Sequence, residues 1–213
     1  LEAMKTIAFE IAEQLTNALG PPSGESTNPE NPPTWRTPDW YIQSVSGGMG
    51  PVGVLKGFEE LKEMGIVDRI PAVACVQSEG CAPMVHAWDN DLDIAEPVLS
   101  PRTNIATLAT GDPGRTYTVL RQRMLRGGGG TFESASDEDA FRAIHVLAKM
   151  EGLSMEPASA VAFAGLIKMV RSGKIKPSDV VVINLTGHTL PVEKMILGEG
   201  WARNLVLPSK ALD

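Results

Sequence analysis

The chain opens in an amphipathic rhythm. Met4, Ile7, Ala8, Ile11 and Leu15 recur at three- and four-residue intervals, which predicts a helix over about residues 2–18 with Gly20 just past its end. The rhythm then breaks. Five prolines fall between positions 21 and 33, in a polar stretch that cannot bury enough apolar surface to order itself, so residues 20–37 read as a flexible surface insertion. From residue 38 onward short apolar runs alternate with helical patterns. Strands are predicted at 39–45, 72–77, near 131–133 and at 180–185, and helices at 51–64, 82–88, 116–126, 137–150 and 158–171. The helix at 137 carries the clearest punctuation: Ser136 at the N-cap position, Asp139 three residues on, and Gly152 beyond the far end. The runs AVACVQ (72–77) and VVVINL (180–185) are continuous rather than alternating, as in strands buried on both faces. The fold class expected is α/β, a mostly parallel sheet with helices on both faces in three αβα layers. The chain divides into a helix at 1–19, the insertion at 20–37 and an α/β domain at 38–213, with no internal repeat. It begins without Met and already inside the amphipathic pattern, so the first helix reads as the continuation of a longer chain.

Composition narrows the function classes. A net charge of −7 argues against a nucleic-acid-binding surface, and no apolar run approaches the roughly 18 residues of a membrane span. Cys75 and Cys81 have neither a zinc spacing nor the CxxC spacing of a redox pair. They read as two buried or half-buried thiols in a reducing cytosol, and with no signal peptide at the start the expected location is cytoplasmic.

The most informative local feature is a loop. The strand WYIQSV runs into Ser46, Gly47, Gly48, Met49 and Gly50 and then into a helix beginning near Pro51. Glycines let the backbone come close to a phosphate, while N–H groups of the loop and first helical turn point at its oxygens. Taken alone this is a generic anion cradle, and many such turns bind nothing. The glycine run at 127–130 follows a helix and precedes a strand, so no helix N-terminus faces it; it reads as a loose connector. Thr186 leaves the strand at 180–185, at the end of a parallel sheet where ligands usually sit, and Gly187 lets the chain turn away. His188 has no nucleophile placed beside it by any motif and reads as structural or superficial. Glu156 near a helix start is a favourable dipole placement. Cys81 and His86 lie roughly 140° apart around a helix, which disfavours a metal pair. Lys56, Lys62 and Lys168 fit exposed helix faces.

Six segments, in order, resemble one family. They are KTIAFEIAEQL (5–15), SGGMG with KGFEELKEMGIVDRIP (46–71), VQSEGCAPMVHAW (76–88), TNIATLATGDP (103–113), SDEDAFRAIHVLAKMEGLSMEPASA (136–160) and INLTGH (183–188). The resemblance is to pyridoxal-phosphate enzymes of the tryptophan synthase β type (fold type II), and within them to threonine synthase. It implies that Ser46, Gly47, Gly48, Met49 and Gly50 hold the phosphate of pyridoxal 5'-phosphate and that Thr186 faces its pyridine nitrogen. It further implies a lyase converting O-phosphohomoserine and water to threonine and phosphate, a small amino-acid substrate and a homodimer. Two departures touch the rim of the site. Gly47 and Gly50 stand where the threonine synthase loop Gly-Asn-x-Gly-Asn has asparagines, and Thr189-Leu190-Pro191 follows TGH where Gly-Leu-Lys is usual. The family's Schiff-base lysine lies in a Ser-Phe-Lys-Asp-like segment ahead of KTIAFEIAEQL, and no lysine here stands in that context. The resemblance therefore covers the C-terminal portion of such an enzyme, with no catalytic lysine, no metal site and no activity expected of these 213 residues alone. A serine/threonine dehydratase, a β-replacement enzyme, or a non-catalytic binding or regulatory protein on the same fold are the alternatives.

Overall fold

The computed structural model describes residues 1–22 and 33–188. Most of the proline-rich insertion and the departure at Thr189–Pro191 lie outside these residues. Ten principal elements follow one another among the described residues: α1 (Lys5–Leu19), β1 (Trp40–Ser44), α2 (Met49–Glu63), β2 (Ala72–Ser78), α3 (Pro83–Asp89), α4 (Thr116–Arg126), β3 (Gly130–Ala135), α5 (Asp137–Glu151), α6 (Pro157–Arg171) and β4 (Val181–Asn184). The four strands form one parallel sheet in the order β3-β2-β1-β4. The α/β class expected from the alternation of elements is the one observed.

Side-chain alternation explains the layers. Tyr41 of the first strand, Val45 just past its end, and Val73 and Cys75 of the second enter a core with Val54, Leu55 and Phe58 of α2 and Leu120 and Met124 of α4. Their neighbours Ile42, Ala74 and Val76 enter a second core on the opposite face, with Ala143 and Leu147 of α5 and Val161 and Met169 of α6. β2 is thus buried on both sides, as its unbroken apolar run requires. β4 departs from that expectation. All four of its residues are only half-buried, because it pairs with β1 alone and closes the described sheet at one edge.

Local chemistry sets the boundaries. Ser136 Oγ accepts the N–H of Asp139 at 3.1 Å, and Gly152 adopts the left-handed conformation (φ 67°) at the far end of α5, as its sequence punctuation predicts. Asp137 then binds two separate segments through three hydrogen bonds. Its carboxylate accepts from Ser78 Oγ at 2.9 Å, Thr103 Oγ1 at 2.7 Å and Asn104 N at 2.6 Å, fastening the long connection after α3 to the end of β2. The glycine run at 127–130 is not loose. Gly127 N and Gly129 N close α4 onto Arg123 O (2.8 Å) and Met124 O (3.1 Å), and a Cβ on Gly128 would collide with the carbonyl oxygens of Ile70 and Pro71. The run is there because two backbones touch. The described ends of the stretch expected to be a flexible insertion (20–37) are tied down instead: Thr34 N and Trp35 N both donate to Ile66 O, and Arg36 Nε donates to Gly20 O at 3.0 Å. Both cysteines are buried free thiols. No helix among the described residues is long and apolar enough to cross a membrane.

Removing the Ser136 cap leaves the first-turn N–H of Asp139 without its side-chain acceptor. Ser136→Ala is expected to cost about 1 kcal/mol of stability, read as a lowered urea midpoint at unchanged slope, and Ser136→Gly only a few tenths.

Candidate functional site

The loop after β1 is built by a break in hydrogen bonding. Val45 N donates to Val76 O at 2.8 Å, and beyond it the chain leaves the sheet. Gly48 takes φ 81° and acts as N-cap, so α2 starts at Met49, two residues earlier than Pro51 suggested, and the proline is its third residue. Pro51 has no N–H to offer, and Val52 N to Gly48 O is long at 3.5 Å. The N–H groups of Gly47, Gly48, Met49 and Gly50 have no acceptor among the described residues. They stand at the positive end of a fifteen-residue helix with no acidic residue in its first turn.

The loop has a wall behind it and space in front. A Cβ on Gly48 would come within 2.9 Å of Leu120 Cδ1 and 3.1 Å of Met84 Cε and Thr116 Cγ2. At Gly47 it would meet nothing within 4 Å. The packed side therefore belongs to α3 and α4, and the chain is open where a Gly47 side chain would stand. This is a cradle that a phosphate dianion fits: unpartnered backbone donors, a favourable dipole and an open approach.

Four residues to which sequence reasoning gave no role complete the surroundings. Tyr41 Oη donates to Gln43 Oε1 at 2.7 Å, and Asn184 Nδ2 donates to Tyr41 Oη at 2.9 Å. Burial pushes the Tyr41 phenol well above its ordinary pKa, with the Asn184 hydrogen bond opposing in part, so the group stays protonated. Gln43 is pressed against the loop, its Nε2 only 2.5 Å from where a Gly50 Cβ would be. Gln77, on the same face of β2, is fully buried; its Oε1 accepts Met84 N at 2.8 Å, while its Nε2 has no partner among the described residues. An orphaned buried donor on the face that carries the loop further suits an anionic or acceptor-bearing group.

Thr186 follows β4 and is exposed. Asn184 is the register partner of Gln43, so Thr186 and the glycine loop leave the same end of adjacent strands. The segment is fastened to the start of α6: Ser159 Oγ and Thr186 Oγ1 lie 3.2 Å apart, Gly187 N donates to Ser159 Oγ at 3.0 Å, and Glu156 N donates to Gly187 O at 3.2 Å. Thr186 Oγ1 also donates to Glu156 Oε1 at 3.4 Å. Glu156 does more here than complement a helix dipole. His188 is exposed. The amines of Lys5, Lys56, Lys168 and Lys174 are held by Glu2, Glu60 or Glu133. No group of three His, Cys, Asp or Glu side chains among the described residues is placed to hold a metal ion.

An open parallel sheet with a donor-lined strand-to-helix turn at its carboxyl edge is an α/β architecture of the kind that takes ligands at that edge. Its family is narrower still. The sequence pattern described as "Pyridoxal-phosphate dependent enzyme" matches residues 1–187, and the chain belongs to that family. Among its relatives, the threonine synthase of Methanosarcina acetivorans is 35% identical over 190 residues, covering 89% of this chain and 42% of the relative. The threonine synthase of Methanocaldococcus jannaschii is 32% identical over 190 residues with the same coverage, 89% and 42%. This chain thus spans less than half the length of the curated relatives it matches. Among solved structures, a fungal L-serine ammonia-lyase from Rhizomucor miehei superimposes with a TM-score of 0.64 at 18% identity, over 88% of this chain and 51% of its own. At that identity the likeness is one of fold. The family's cofactor is pyridoxal phosphate, and the loop's free donors suit the phosphate it carries.

The asymmetry of the loop makes a stability prediction. Gly48→Ala combines an unfavourable positive φ with three close contacts and is expected to cost about 1–3 kcal/mol. Gly47→Ala, with open space and no positive φ, is expected to stay within about 0.5 kcal/mol of the unchanged chain in urea unfolding. Equal costs at the two positions would contradict the described packing.

Proposed function

We propose that this chain is the cofactor-phosphate-binding part of a pyridoxal-phosphate-dependent lyase of the threonine synthase type, one that forms threonine and phosphate from O-phosphohomoserine and water. The observation that carries the reading is the row of unpartnered N–H groups from Gly47 to Gly50 at the head of α2. Identity of 35% to a threonine synthase across 89% of the chain supports the choice of reaction within the family.

Each residue then has a chemical task. The loop amides hold the dianionic phosphate, and the absence of acidic residues from the first turn of α2 leaves the helix dipole unopposed there. Thr186 offers a neutral hydroxyl to the pyridine nitrogen, and Ser159 with Glu156 orients it. A hydroxyl in place of a carboxylate leaves the ring nitrogen's protonation unenforced, which suits elimination and replacement at the β or γ carbon. When bound, pyridoxal phosphate supplies the electron sink for that chemistry. The reading requires a lysine from outside these 213 residues for the covalent link. A cytoplasmic homodimer acting on a small amino acid is part of the same proposal.

The complete protein, assayed separately with O-phosphohomoserine, threonine and O-acetylserine, is expected to release threonine and inorganic phosphate from the first. A 2-oxo acid and ammonia from threonine would replace this reading with a dehydratase, and turnover of O-acetylserine with a sulfur nucleophile would replace it with a β-replacement enzyme. Turnover of none of the three would leave the non-catalytic binding protein.

A further inference from the structure

The Tyr41–Gln43–Asn184 chain has a direction, and it ends at the glycine loop. Asn184 donates to Tyr41, so the single proton of the Tyr41 hydroxyl is free to go to Gln43 Oε1. The opposite amide orientation would leave two N–H groups facing the Tyr41 oxygen and its own proton without an acceptor. Gln43 is therefore held with Oε1 toward Tyr41 and Nε2 toward Gly50, and that Nε2 has no acceptor among the described residues. Only a glycine at position 50 admits it, since a Cβ there would lie 2.5 Å from Nε2 and 3.0 Å from Oε1. Gln77 adds a second amide on the same face: it lies two residues beyond Cys75, the register partner of Gln43, and its own Nε2 is fully buried and unpartnered.

We propose that Gln43 is an anion-binding side chain of the loop, supplying an amide donor at the first turn of α2 beside the backbone N–H groups and held in that orientation by Tyr41 and Asn184. The inference rests on the loop being the phosphate seat. Its physical content is a neutral donor brought in from the sheet, where a glycine has vacated the helix position that would block it. Tyr41 and Asn184 act through Gln43 and are positioning residues. Asn184 is two residues before Thr186, so two hydrogen bonds and the packing of Gln43 against Gly50 link the strand end that carries Thr186 to the loop.

The test uses the full 213-residue chain and pyridoxine 5'-phosphate, which carries the ring and the phosphate without an aldehyde that could react with lysines. Affinity is measured by calorimetry at constant ionic strength for the unchanged chain and for Gln43→Glu, Gln43→Met and Gly47→Asp, each first shown to be folded by circular dichroism. Gln43→Glu keeps the acceptor for Tyr41 but turns a carboxylate on the phosphate; binding is expected to weaken by about tenfold or more near pH 8. Because the usual glutamate pKa of about 4.3 is raised by a neighbouring anion, the ratio to the unchanged chain at each pH should recover as pH falls toward about 5. Gln43→Met removes the donor alone and is expected to weaken binding about threefold to tenfold with no such pH dependence. It also serves if Gln43→Glu does not fold. Unaltered affinity in the folded Gln43 variants, with binding lost in Gly47→Asp, would overturn the role of Gln43 while leaving the loop as the seat. If Gly47→Asp binds as the unchanged chain does, or the unchanged chain does not bind, the seat itself is wrong and the inference falls with it.

Discussion

The pairing of β1 on both sides is the constraint from which the rest of this structure follows. Parallel bonds to β2 on one flank and β4 on the other place three chain exits along one edge: the loop after Val45, the turn into α3 after Ser78, and the segment through Thr186. Each exit turns toward a helix or is pinned to one. Parallel strands point every carboxyl end the same way, so helix N-termini and strand-end side chains gather at that edge, and ligands of open α/β sheets are found there. Shifting β1 by one residue against its partners would exchange the faces of Tyr41 and Ile42 and separate Gln43 from the loop.

A second constraint is polar and sits inside the first. The face of β1 that carries Tyr41 and Gln43 is otherwise lined with apolar side chains of α2 and α4. A phenol and two amides there are costly unless their hydrogen bonds are arranged. Asn184, Tyr41 and Gln43 satisfy one another in a single direction and leave the surplus donor at the loop, while Gln77 uses its oxygen on α3 and keeps a second surplus donor. A buried donor left over on the face that carries a row of unpartnered backbone N–H groups is what an anion site uses and what an ordinary core avoids. The glycines divide the labour. Gly48 supplies the left-handed turn against α4, Gly47 leaves the approach open, and Gly50 makes room for Gln43.

Much of this could be read along the chain. Element types and order follow from apolar periodicity, and α5 was marked at both ends because its cap is a local interaction between residues three apart. The glycine loop was legible for a similar reason: strand, glycines and helix are consecutive. What failed to show was whatever depended on a distant neighbour. VVVINL looked like a strand covered on both faces, but its burial is set by which strands lie beside it, and β1 alone does. The glycines at 127–130 looked loose because Ile70 and Pro71, which they touch, lie far earlier in the chain. Glu156 looked like a helix-dipole residue, and its contact with Thr186 crosses thirty positions.

By itself, then, the sequence determined the layer architecture, the glycine-bearing strand-to-helix turn and the family, because hydrophobic period, caps and ordered motifs are short-range properties of a chain. Only the tertiary structure decided which side of the turn is wall and which is opening, and that Gln43, Tyr41 and Asn184 come together beside it. A hydrogen bond from Asn184 to Tyr41 joins residues 143 positions apart. No local pattern encodes it; it exists because β4 pairs beside β1 in one register, and that pairing is made by the fold as a whole.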